Sequence, residues 1–138
     1  MKFMLIRKAD EDTEAGAKAS EKLIQDMADY NQEMLKRGVM LDGMGLHPSS
    51  RGAKVKFSNG KPRVIDGPFA EAKELIAGFT LIEAKSKEEA IEWVKLWPTS
   101  DANGNVEIEI RQVYELDELG SGEGIEHHRG LQEQMKKK

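Results

Sequence analysis

Cysteine is absent from the 138 residues. Disulfide staples, thiolate nucleophiles and zinc–sulfur centres are thereby excluded. No apolar run approaches the roughly 20 residues that a membrane-spanning helix needs. The opening Met1-Lys2-Phe3-Met4-Leu5-Ile6-Arg7 is too short in its apolar part for a secretory leader and lacks a small-residue cleavage site. A cytoplasmic protein with no membrane partner is expected. Basic surplus is missing as well: the formal net charge is −4, and Lys136-Lys137-Lys138 is the one basic cluster. Nucleic-acid binding, which wants cations gathered on one face, is not expected. Histidine is scarce, at three residues, and two of them, His127 and His128, are adjacent. On a helix such neighbours point about 100° apart and cannot chelate one ion together. Gly43-Met44-Gly45 is followed by no phosphate-loop lysine and no dinucleotide fingerprint. Neither metal nor cofactor is expected.

What is present suits one soluble domain, with 38% hydrophobic and 33% charged residues. Phe3 to Arg7 predicts a strand apolar on both sides, Phe3 and Leu5 on one and Met4 and Ile6 on the other, hence covered on both. After an acidic loop, Asp10 to Asp12, the residues Leu23, Met27, Tyr30 and Met34 recur at helical spacing. Gly38 follows Lys36-Arg37 as expected at a helix C-terminus. Val39 to Leu41 starts a second strand, and Gly43 to Gly52 reads as a loop. Ala53 to Ser58 and Lys61 to Asp66 flank Asn59-Gly60, a strong hairpin signal, with Pro62 demoting its strand to an edge.

Ile76 to Ala84 predicts a further strand. Ser86 and Glu89 predict a capped helix whose buried stripe is Ala90, Trp93, Val94 and Trp97. Pro98 ends it, Asn103-Gly104 turns the chain, and Val106 to Val113 is the last strand. Residues 1–117 are read as the domain. Residues 118–138, with Gly120-Ser121-Gly122-Glu123-Gly124 at their start, are read as a flexible or partner-docking tail. The order β-α-β, hairpin, β-α-β is that of an α+β, ferredoxin-like fold: a split βαβ unit with an inserted β-hairpin. Two helices cover one sheet face and leave the other bare. The simplest cover is a second copy, so a homodimer is expected.

Residues 64–74 read Val-Ile-Asp-Gly-Pro-Phe-Ala-Glu-Ala-Lys-Glu. A β-branched pair delivers Asp66 into a Gly67-Pro68 turn, where a strand holds a carboxylate out for a ligand. With Phe69, Glu71, Lys73-Glu74 and Gly78-Phe79, this block resembles the signature of the DGPF proteins, a branch of the YCII-related superfamily. The resemblance implies a ferredoxin-like dimeric α+β barrel with a small-molecule cleft and no securely assigned reaction. Many YCII-type members carry a histidine in the first helix, proposed to pair with an aspartate. This chain has none there, so that dyad is not carried over.

Asp66 has two readings, a general base or ligand-binding carboxylate in the cleft, or an Asp capping its own turn. Glu71 and Lys73 either line the cleft beside it or pair locally, and Phe69 is either a core plug or a stacking platform. His47 is the histidine inside the domain, and a His47–Asp66 couple would supply acid–base chemistry; the alternative is an exposed loop imidazole. In Glu107-Ile108-Glu109-Ile110-Arg111 the isoleucines take one face, and Glu109 and Arg111 take the other. Looking into a barrel, that polar face would bind a ligand, with Arg111 gripping a carboxylate or phosphate; otherwise it is a solvent-facing edge. Two functions stay open. One is a small cofactor-independent enzyme or binding protein with a cleft around Asp66 for a small organic ligand. The other is a non-catalytic regulatory module, because the resemblance implies genes beside extracytoplasmic-function sigma factors.

Overall fold

The computed structural model describes residues 1–137, and of Lys73 the backbone alone. Its strands are β1 (Lys2–Lys8), β2 (Met40–Gly45), β3 (Ala53–Ser58), β4 (Lys61–Asp66), β5 (Ile76–Glu83) and β6 (Ile108–Gln112). Its α-helices are α1 (Glu11–Glu14), α2 (Glu21–Lys36), α3 (Lys87–Lys95) and α4 (Glu123–Lys136). Four strands form one sheet in the order β2-β5-β1-β6, every neighbour antiparallel. That order, with two long helices as crossovers, is the ferredoxin-like split βαβ arrangement. β3 and β4 form a separate two-stranded hairpin, paired from Ala53↔Asp66 to Ser58↔Lys61. Asn59 and Gly60 both take positive φ, 50° and 78°, as a two-residue turn of the primed type requires. The α+β fold and the inserted hairpin are thus as the pattern predicts.

Alternation along β1 sorts the core. Phe3 and Leu5 face the helices, 2% and 0% exposed, beside Ile82 and Thr80 of β5. Ile110 of β6 stands next to Leu5 on the same face. α2, capped by the Ser20 hydroxyl accepting the Leu23 N–H, lowers Tyr30 and Met34 onto this layer. The Tyr30 hydroxyl donates to the Trp93 carbonyl at 2.7 Å, and its ring meets Trp97 edge-on at 5.6 Å. These contacts tie α2 to α3 and its exit. On the opposite face Met4 and Ile6 neighbour Leu81 and Phe79, half-buried, with neither helix over them.

Several elements depart from the pattern. The acidic loop at Asp10 begins a short helix, because the Asp10 carboxylate accepts the Thr13 N–H while Thr13 Oγ1 accepts the Asp10 N–H. β2 runs on through Gly45, where a loop was expected from Gly43. It does so because its neighbour is Gly78, on which a Cβ would stand 2.9 Å from the Met44 carbonyl oxygen. The last strand is shorter than Val106 to Val113, although the Val113 N–H still reaches the Lys2 carbonyl at 2.9 Å. Residues 123–136, read as tail, form a helix that packs mainly on the 3-10 turn Leu116–Leu119. Among the described residues no helix is long and apolar enough to cross a membrane.

Burial pushes the Tyr30 phenol up to about 12. In the unfolded chain a tyrosine ionises near ~10. The fold therefore favours the neutral phenol, a contribution complete below about pH 10 and lost as pH rises through 12. In Tyr114→Phe, which leaves Tyr30 as the sole tyrosine, phenolate absorbance should rise with a midpoint near 12. A midpoint near ~10 in the folded protein would contradict this placement.

Candidate functional site

Between the N-terminal half of α2 and the sheet lies a cavity of about 320 Å³. It is at the small end of the range used for organic ligands. It exists because the two layers lack filler there. α2 presents Leu23, Met27 and Asn31, each one helical turn beyond the last, while the sheet offers Gly43, Gly45 and Gly78. Nothing stands within 4 Å of where a Cβ on Gly45 would be. Farther along α2, Tyr30 and Met34 fill the same gap with bulk. Met40 and Trp97 add apolar wall, and Arg7, Thr13, Thr80 and Asp101 supply polarity.

Arg7 and Asp101 are fixed by one another. Arg7 Nη2 donates to Asp101 Oδ1 at 2.6 Å, and Nε to Oδ2 at 3.3 Å. Trp97 Nε1 donates to the same Oδ2 at 3.0 Å. Asp101, 5% exposed, thus has both oxygens engaged and acts as an anchor. Arg7 Nη1 donates to the Lys8 carbonyl at 2.7 Å and to Asp10 Oδ2 at 3.2 Å. Of the five guanidinium N–H groups, this leaves one on Nη2 for the cavity. Burial works against the charged guanidinium, but Asp101 and then Asp10 outweigh it and hold its pKa above the usual value. Burial likewise opposes ionised Asp10, yet the Thr13 N–H and Arg7 keep its carboxyl below the usual range. Its contribution is present above the ordinary carboxylate range and is lost as pH falls through the lowered value. The Asn31 amide behaves differently: its Oδ1 is sealed from solvent and has no partner among the described residues.

The residues singled out from the sequence fall elsewhere. His47 and Phe69 line a second hollow of about 350 Å³ with Glu14, Ser49 and Arg51. His47 is exposed, its Nε2 lying 3.1 Å from Arg51 Nη1, and Lys54 Nζ sits 4.2 Å above the Phe69 ring. Asp66 is exposed at the base of the hairpin and makes no side-chain hydrogen bond among the described residues. It does not cap its turn. The residue two positions on is Pro68, without an N–H, and the Phe69 N–H is taken by Ser49 Oγ at 3.0 Å. Ser49 in turn donates to Glu14 through both its hydroxyl and its N–H. Gly67 is required because a Cβ there would collide with the Ser49 carbonyl. Glu71 is exposed just before the 3-10 turn Ala72–Glu74 and makes no capping bond there, and the Lys73 side chain lies outside the described residues.

Glu109 and Arg111 sit on the open sheet face beside Ile6 and Met4, 3.3 Å apart, with Lys8 Nζ 3.7 Å from Glu109. Asp66, Glu71, Glu109 and Arg111 line neither hollow, so the structure does not bring the expected residues to one place. Sequence reasoning passed over Arg7, Asn31 and Asp101. A signal existed for the first two: an arginine ends an otherwise apolar strand, and Asn31 continues the stripe of Leu23 and Met27.

The YCII-related domain model matches residues 1–117. An uncharacterised protein of Rhizobium meliloti (strain 1021) is 30% identical over 102 residues, covering 73% of this chain and 82% of that one. The chain belongs to the YCII-related family. A more distant likeness is to 5-chloro-2-hydroxyhydroquinone dehydrochlorinase of Burkholderia phenoliruptrix AC1100, solved with 2,5-dihydroxybenzoquinone. It is 16% identical with a TM-score of 0.43, covering 83% of this chain and 94% of that one.

Two substitutions should move stability in opposite directions. Asp101→Asn leaves Arg7 half-buried beside a neutral amide and should cost on the order of 3 kcal/mol. Asn31→Leu removes the unpartnered oxygen and should add about 1 kcal/mol. Urea unfolding reads both; a neutral Asp101→Asn or a destabilising Asn31→Leu would contradict the geometry described.

Proposed function

We propose that this YCII-related protein binds a small organic molecule in the cavity between α2 and the sheet, and does so as a homodimer. The observation that supports the first part is an apolar-walled cavity lined by both Asn31 and Arg7, where Arg7 keeps one N–H to spare. The complementary ligand has an apolar body and a polar edge bearing an acceptor for Arg7. A hydroxylated or carboxylated ring of modest size has that character. Asp101 fixes Arg7, and Trp97, bonded to the same carboxylate, adds apolar wall beside them. With Asp101 fully engaged and His47 in another hollow, this reading is one of binding and orientation, with no acid–base step assigned.

The homodimer follows from the open sheet face. Met4, Ile6, Phe79 and Leu81 form an apolar field bordered by Met44, 59% exposed, and by the Glu109–Arg111 pair. Two such faces brought together would close an α+β barrel and place Glu109 and Arg111 inside it. Asp66, His47, Phe69 and Glu71 then belong to the rim near the hairpin. Residues 1–117 are proposed as the folding unit.

A thermal-shift screen of hydroxylated and carboxylated ring compounds tests the ligand. A hit should stabilise the wild type and lose its effect in Gly45→Val, which fills the cavity, and in Asn31→Leu. A hit indifferent to both variants would place the ligand elsewhere. Light scattering at micromolar concentration should give twice the 15.5 kDa of one chain, with more than ~1,000 Å² buried. The mass of a single chain would overturn the dimer.

A further inference from the structure

Arg7 stands between two carboxylates, Asp101 at 2.6 Å and Asp10 at 3.2 Å, so the cluster holds one cation against two anions. Arg7 and Asp101 are the charged residues on the cavity wall itself. A smaller hollow of about 220 Å³ adjoins the cavity and shares Arg7, Thr13, Leu23 and Asp101 with it. Lys18 and Asp12 line that hollow and cancel, so the surplus stays negative. The start of α2, at Ser20, borders it too and supplies roughly half a positive charge, which does not reverse the sign.

Thr80 adds an independent observation. It sits on the helix-facing side of β5, opposite Leu5 of β1 and Gly43 of β2, and is 6% exposed. Phe3, Leu5 and Ile82 on that side are apolar. Thr80 Oγ1 has no hydrogen-bond partner among the described residues, yet it is not sealed as the Asn31 oxygen is. It lies toward Gly43, where a Cβ would stand 3.6 Å from it, and both residues line the cavity. Valine has the same branched shape and suits a strand as well, so packing does not call for the hydroxyl. Arg7 lies opposite Gly78, which makes it a diagonal neighbour of Thr80 on this face. On the sheet side of the cavity, the open polar groups are therefore the spare Arg7 N–H and the Thr80 hydroxyl.

We infer that the cavity takes an uncharged ring bearing hydroxyl or carbonyl oxygens, one accepting from the Arg7 N–H and another bonded to the Thr80 hydroxyl, and that it rejects carboxylates. The inference rests on the ligand reading but not on the homodimer reading. A carboxylate would give up its hydration to enter a site whose one guanidinium is already outweighed by Asp10 and Asp101. A hydroxyl or carbonyl oxygen accepts from Arg7 without adding charge. Thr80 can donate or accept, so it suits either kind of oxygen. Thr80 is thus a specificity-determining residue of the cavity.

Isothermal titration at neutral pH with 4-hydroxybenzamide and 4-hydroxybenzoate, alike in shape and different in charge, tests this. The amide should bind the wild type about tenfold or more tightly than the carboxylate, the factor that a surplus charge nearby carries in a partly screened site. Asp10→Asn removes one anion while keeping a residue suited to capping α1, and should narrow that gap. Thr80→Val should weaken amide binding by roughly threefold to tenfold, the worth of one neutral hydrogen bond. Its urea midpoint should stay at or above that of the wild type. Gly45→Val should abolish binding of either compound. A carboxylate that binds as tightly as the amide, a gap unchanged in Asp10→Asn, or an amide indifferent to Thr80→Val overturns the inference. If Gly45→Val still abolishes that binding, the cavity reading stands. Binding that survives Gly45→Val, or no binding of either compound at millimolar concentration, overturns the cavity reading and the inference together. A lowered urea midpoint in Thr80→Val would show that the hydroxyl holds the fold, which also overturns the inference.

Discussion

The ion pair between Arg7 and Asp101 joins groups 94 residues apart in the chain and sets where much of the rest can lie. Withdrawing a guanidinium and a carboxylate from water is costly unless their hydrogen bonds are completed. Here Asp101 takes donors from Arg7 and from Trp97, and Arg7 gives its remaining bonds to Asp10 and the Lys8 carbonyl. Any other position for the turn after α3 would strand one of these charges. The pair therefore pins Trp97, Trp97 meets Tyr30 edge-on, and Tyr30 holds α2 against α3 through the Trp93 carbonyl. One polar cluster thus locates two helices on the sheet.

The same cluster explains why an opening survives beside a dense core. Where Tyr30 and Met34 meet Phe3, Leu5 and Ile82, the layers interlock without gaps. Toward the start of α2 the facing strand positions are glycines, and the cluster of Arg7, Asp10 and Asp101 stands at that end. Space is retained by rigidity on one side and by missing side chains on the other. The partnerless Asn31 oxygen beside that space is a local cost to the fold.

Much of the fold was legible because it is written in local spacing. Asn59-Gly60 announces the hairpin, the two-sided apolar run Phe3 to Ile6 announces a central strand, and Ser86 starts a helix by accepting a backbone N–H. Elements that depend on distant partners were not legible. Gly43 to Gly45 looks like a loop until Gly78 is placed beside it. Gly67 marks a turn, but its need for Ser49 becomes visible only when the Pro48 to Gly52 loop is packed against it. The family motif drew attention to Asp66, whereas its structural content lies in Gly67 and Phe69, held by Ser49 and Glu14. For the cavity, no local pattern connects Arg7 with Asp101, although an arginine after the apolar run Phe3 to Ile6 was a visible signal. α4 was missed because its three apolar residues are spread thinly among charges and glycines.

Nitrogen-detected NMR of the side chains offers the most direct view of the central claim that the cavity between α2 and the sheet is the ligand site. The Arg7 Nε–H and the Asn31 amide give resonances of their own, as do the backbone N–H groups of Gly67 and Phe69. On titration with a hydroxylated ring compound that stabilises the protein, the account predicts that Arg7 and Asn31 shift together and saturate together, with Gly67 and Phe69 unmoved. Shifts confined to Gly67, Phe69 and His47, with Arg7 and Asn31 unchanged at saturation, would contradict it.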